Sequence, residues 1–175
     1  MLDPKSARVI IAEELERLKQ RIIANMRAQN AVASGRTIRS LKVVMTPEGG
    51  ALVTEQQMPF GVLETGRRGG KIPYGFAGII YQWMKDKGIH ATVIPYKTDR
   101  PHKYTAEERS DRSMAAAIAH TIAMSGSKLY RMGGRDTIYS NEIPDTVERI
   151  ETRVTGIISA YADEMIKLNN VTIGE

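Results

Sequence analysis

The sequence predicts an α+β domain: a small antiparallel sheet, hairpin or meander with a candidate edge strand, packed against helices, with a long loop or arm and a long C-terminal helix. Three observations carry this. Apolar residues recur at helical spacing over residues 6–30 and again over 145–169, two short β-prone runs flank the turn Pro47-Glu48-Gly49-Gly50, and residues 89–104 have almost no periodicity. With 175 residues, 42% of them hydrophobic, one domain spanning residues 1–175 is expected.

Ser6 to Asn30 reads as the first helix, because Val9, Ile10, Leu15, Leu18, Ile22, Ile23 and Met26 share a face and charged residues fill the rest. Pro4 precedes it, where proline costs little. Ala33 to Arg36 is a breaker-like step, and Thr37 to Thr46 then suits a strand. After the Pro47–Gly50 turn, Ala51 to Glu55 returns as its partner, and Met58 to Thr65 is the natural third strand of a meander. Phe76, Ile79, Ile80, Trp83 and Met84 place a short helix between Gly75 and Gly88, with Gly88 at the left-handed C-cap. Residues 89–104 form a loop or arm suited to partner contacts. Thr105 and Glu108 make a capping box for a helix to Ser125 that Gly126 ends. Thr137-Ile138-Tyr139 could add an edge strand, and Asp145 with Glu148 repeats the capping pattern ahead of the last helix.

Cysteine is absent, so disulfides, thiolate metal sites and thiol nucleophiles are excluded. No apolar run approaches the roughly 20 residues of a spanning helix, which predicts a soluble chain without membrane contact. The net charge of +5 and pI near 9.5 permit an acidic partner without demanding one, and aromatic residues make up only 6% of the chain.

Catalytic patterns find little to rest on. His90, His102 and His120 lack metal-ligand spacing, and His120, on an alanine-rich helix, reads as a packing or surface histidine. No G-x-S-x-G elbow is present, and Gly66, Gly69 and Gly70 do not form a phosphate-binding loop. A non-enzymatic chain without cofactor or metal is expected.

The stretch MPFGVLETGRRGGKIP, residues 58–73, is the most distinctive. Glu64 interrupts its apolar run, as an edge charge that discourages strand addition, as one half of an ion pair in the same chain or a neighbouring copy, or, third after these, as a catalytic carboxylate. Arg67, Arg68 and Lys71 follow in a glycine-rich cationic loop with no apolar side chain to bury, which reads as a solvated loop ahead of a phosphate clamp. Tyr96, Arg100 and Lys103 in the arm complete the candidate contact residues.

Two of these segments together resemble a known family. Ala33-Ser34-Gly35-Arg36-Thr37-Ile38-Arg39-Ser40-Leu41 after a first helix, then Pro59-Phe60-Gly61-Val62-Leu63-Glu64-Thr65-Gly66-Arg67 after a hairpin, is similar to the head-tail joining or tail-completion proteins of tailed bacteriophages. That family typically has a "(T/S)GR-L-R-S" step into its first strand and a "P-Y/F-x-x-x-(L/V/I)-E-x-G" segment. The resemblance covers residues 5–70 and, more loosely, 114–140. The chain departs from the family in its 75–88 helix, 89–104 loop and long terminal helix, which leaves open which joint of the particle it would occupy.

The resemblance implies a structural virion protein in the neck or tail, assembled in the host cytoplasm. It would form a homo-oligomeric ring, six- or twelve-fold, against portal, connector or tail-tube proteins, with basic loops facing a channel where non-specific DNA contact is tolerable. The alternative is a soluble basic module that binds nucleic acid or an acidic protein.

Overall fold

The computed structural model describes residues 4–46, 49–54, 60–98 and 100–172. It is α+β, with helices α1 (Pro4–Ala28), α2 (Arg36–Ser40), α3 (Val62–Thr65), α4 (Phe76–Lys87), α5 (Ala106–Ser125), α6 (Lys128–Arg131) and α7 (Glu142–Thr172), and strands β1 (Leu41–Thr46) and β2 (Gly49–Thr54). Contacts cluster in two compact units, one built from residues 1–30, 38–56 and 136–175 and the other from 31–37 and 57–135. Among the described residues no helix is long and apolar enough to cross a membrane.

In the first unit, Ile10, Leu15, Leu18, Ile22, Ile23 and Met26 of α1 are buried as their spacing predicts, while Val9 stays exposed. The antiparallel hairpin β1–β2, in register from Leu41↔Thr54 to Thr46↔Gly49, packs against α1. Its contact is close at Gly50, where a Cβ would meet Leu15 Cδ1 at 2.8 Å. The turn residues Pro47 and Glu48 lie outside the described set.

Helix α7 runs antiparallel to α1. Asn25 bonds the Ile138 carbonyl and Glu142, Arg21 reaches Thr146 and Glu142, and Glu14 meets Arg149 and Arg153. Glu14 is fully buried, with Arg17 Nη1 and Arg153 Nη1 each 2.7 Å from Oε1 and Arg149 Nε 3.3 Å from Oε2. Burial alone would raise its pKa, but the Arg153 hydrogen bond, helped by Arg17 and Arg149, holds it below the ordinary value of 4.5.

In the second unit, Phe76, Ile80 and Met84 of α4 pack on Ala115 and Ala119 of α5, whose small side chains allow close approach. Thr105 accepts from Glu108 N at 3.1 Å, as the capping pattern predicts, but the Glu108 carboxylate turns to Arg112 at 2.8 Å instead of reaching back. Gly88 (φ 64°, ψ 31°) closes α4, with its N–H donating to the carbonyls of Lys85 and Met84. Gly126 ends α5.

Four expectations need correction. Arg36 to Ser40 is a helical turn and only Leu41 to Thr46 is strand; the Ser34 hydroxyl accepts from Arg36 N and Nε, which favours the turn. The third strand does not form: Val62 to Thr65 is helical, closed by Thr65 N→Gly61 O and Gly66 N→Val62 O, and Met58 and Pro59 lie outside the described residues. The edge strand at Thr137–Tyr139 is a turn, because Ile138 is fully buried and its carbonyl is taken by Asn25. The last helix starts at Glu142, ahead of the expected residue 145, with Pro144 in the first turn, where its missing N–H costs nothing.

Candidate interaction surface

The described part of the 58–73 stretch, residues 60–73, is a structural joint within the second unit. The Glu64 carbonyl accepts from Arg135 N at 2.8 Å and the Leu63 carbonyl from Arg135 Nε at 2.9 Å, so α3 is tied to the turn after α6. Gly66 lies where no other residue fits, at φ 69° and ψ 180°, with Tyr130 N only 2.3 Å from where a Cβ would be. One hydroxyl completes the joint: Ser127 Oγ accepts from Arg67 N at 2.9 Å and, as the N-cap of α6, from Tyr130 N at 3.3 Å.

The candidate residues therefore separate. Glu64 is buried on α3 and stands at no strand edge. Arg67 folds inward, its guanidinium 5.1 Å from the centre of the Phe76 ring and Nη2 donating to the Lys71 carbonyl, which corrects the picture of a wholly solvated cationic loop. Arg68 and Lys71 are exposed, as are Arg100 and Lys103. Tyr96 is half-buried and donates to the Tyr104 carbonyl at 3.0 Å.

The described residues of the 89–104 segment have no regular secondary structure, and its first half is stapled to α5. Asp111 accepts from Ala91 N at 2.7 Å and lies 3.1 Å from His90 Nδ1, Ser110 accepts from Ile94 N, and Arg109 donates to the Ile94 carbonyl. The Ala91 N–H, followed by His90, lowers the pKa of Asp111 below its ordinary value.

Arginines and tyrosines far apart in sequence meet here. Arg112 lies between Tyr81 and Tyr104, 4.6 and 4.3 Å from their ring centres, while Lys85 and Lys103 each lie 5.3 Å from one of the same rings. Arg109 and His102 likewise both stack on Tyr96. These rings are engaged by cations of the chain itself, so they are poor platforms for nucleic-acid bases.

Sequence reasoning missed an open apolar groove in this unit, about 610 Å³ in volume and lined by Ile80, Trp83, Met114, Ile118, Ile122 and Leu129, with Lys128 and Arg131 also in its lining. The signal was present in Trp83: the pattern assigned it to the core face of α4, but Phe76, Ile80 and Met84 fill that face and Trp83 stays 39% exposed. The two hydroxyls in the groove bond the chain's own backbone, Ser127 Oγ as above and Thr121 Oγ1 to the Ala117 carbonyl. Among the described residues no three His, Cys, Asp or Glu side chains gather to hold a metal ion.

No protein-family model matches this chain, and no curated protein or solved structure does either.

Proposed function

We propose that this chain is a non-enzymatic structural subunit of a tailed-bacteriophage particle, forming a ring at the neck or tail end. The observation that carries the reading is the apolar groove of the second unit, whose hydroxyls are spent on the chain's own backbone. A site for a small polar substrate needs convergent free polar groups to orient it, whereas apolar anchors with a charged rim suit the side chains of another polypeptide. The likeness of residues 33–41 and 59–67 to head-tail joining proteins supplies the class of assembly. Six- or twelve-fold closure against a portal or tail-tube ring belongs to this reading, with Arg68 and Lys71, both exposed, at a subunit contact or the lumen.

Size-exclusion chromatography with light scattering, combined with negative-stain images of the protein and of particles, tests it. A closed multimer, or a monomer that joins particles, is expected; a monodisperse monomer absent from particles overturns it. The competing reading, a basic module that binds nucleic acid outside any particle, requires steeply salt-dependent DNA binding lost on neutralising Arg68 and Lys71.

A further inference from the structure

We propose that the groove of the second unit receives the distal part of α7 from a neighbouring copy of the chain, an inference that rests on the ring reading above. Helix α7 extends over 31 residues, and the bonds to α1 described above end at Arg153. Beyond it, residues 155–167 are exposed or half-exposed, yet they are not uniformly polar. Val154, Ile157, Ile158, Tyr161 and Met165 fall within one arc of about 100° at 3.6 residues per turn, an apolar stripe as wide as a packed helix normally presents. Ile158 is 49% exposed and Met165 40%. The stripe spans about 17 Å, three helical turns, and the groove lining runs along α5 from Met114 to Ile122, about 12 Å, and on to α6.

Charge selects the occupant. Among the described residues Lys128 and Arg131 are the only charged ones in the groove lining, so two grooves facing each other would bring like charges together. Glu164 borders the apolar stripe of α7, so a docked α7 would set it against those cations. The mode is an amphipathic helix laid in a groove, read through anchors three and four residues apart. Because donor and acceptor surfaces differ, the contact is head-to-tail, the kind that closes into rings.

The absence of cysteine makes a direct test available. Full-length Ala117→Cys, in the groove, and full-length Ile158→Cys, on α7, are mixed under mild oxidation and the products separated on non-reducing gels. The expected main product is the Ala117→Cys/Ile158→Cys heterodimer. Adding Lys128→Glu and Arg131→Glu to the groove variant should reduce it about tenfold, the equivalent of about 1.4 kcal/mol, and Glu164→Lys on the partner should restore it. Restoration by the complementary charge excludes misfolding as the cause of the loss. Homodimers through Ile158→Cys alone would show α7 pairing with itself, and an intrachain bond alone in the doubly substituted chain would show the groove filled from within. Either result, or no cross-link at all, overturns the proposal. Light scattering on the same samples separates the two readings: multimers that persist with a charge-reversed groove sink the docking but keep the ring.

Discussion

Gly66 and Tyr130 approach so closely that a Cβ on the glycine would lie 2.3 Å from the tyrosine's backbone nitrogen. The residue that ends the Leu63-Glu64-Thr65-Gly66 motif is thus fixed by contact with α6, more than sixty positions away. The motif's part in the fold is to let α3 and α6 meet.

Gly66→Ala is accordingly expected to destabilise the second unit by at least about 2 kcal/mol, since the alanine must both leave a backbone region open essentially to glycine and push Tyr130 aside. Chemical denaturation followed by Trp83 fluorescence reads this directly. Gly70→Ala, at φ 117° but with no atom within 4 Å of the added Cβ, should cost less because it meets strain without a clash.

Glu14→Gln should cost about 1–3 kcal/mol at pH 7, because it takes the charge from a buried acceptor shared by Arg17, Arg149 and Arg153. The pH dependence follows from the lowered pKa. The native state keeps Glu14 ionised where the unfolded chain takes up a proton, so its contribution is present above the ordinary value of 4.5 and is lost as pH falls below it. Urea midpoints measured between pH 7 and pH 3 should fall for the parent chain and fall less steeply for the variant.

Asp111→Ala should free the start of the 89–104 loop, since both carboxylate oxygens hold it, one on Ala91 N and the other on His90. Hydrogen exchange at Ala91 and cleavage by a dilute protease between His90 and Tyr96 should both rise, while α5 itself stays protected. In the parent chain, acid should release the same segment as pH falls below the ordinary Asp111 value of 3.8.

Arg112→Met keeps the length of the side chain but removes the cation held by Tyr81, Tyr104 and Glu108. A small loss of thermal stability is expected, to which the exposed ion pair contributes little and the two ring contacts most. Arg112→Lys should recover only part of it, because an ammonium cannot lie flat between two rings. Thermal unfolding of the two variants against the parent provides the comparison.

Long helices were legible because many residues vote together. The stripe from Ile10 to Met26, the Thr105 cap and the Gly88 and Gly126 stops each state a local rule that the fold obeys. Short apolar runs misled for the opposite reason: over four or five residues the periods of strand and helix are barely distinguishable. Nothing local in Val62-Leu63-Glu64-Thr65 says that Arg135 will take the carbonyls of Leu63 and Glu64, and nothing in Thr137-Ile138-Tyr139 says that Ile138 will fill the core of the first unit.

The contact residues divide in the same way. That residues 58–73 carry a cationic glycine loop is plain from composition, but its three cations have different fates: Arg67 lies over Phe76, while Arg68 and Lys71 face solvent. The groove was harder still to see, because its walls come from α4, α5 and α6 and only their packing leaves Trp83 outside the core. By itself the sequence determined the α+β class, the four main helices, the Thr105 N-cap with the Gly88 and Gly126 stops, and the hairpin, all set by interactions between residues close along the chain. Tertiary structure alone decided which apolar residues became core and which became open surface, because burial depends on what arrives from elsewhere in the chain, and neither period nor composition records that arrival.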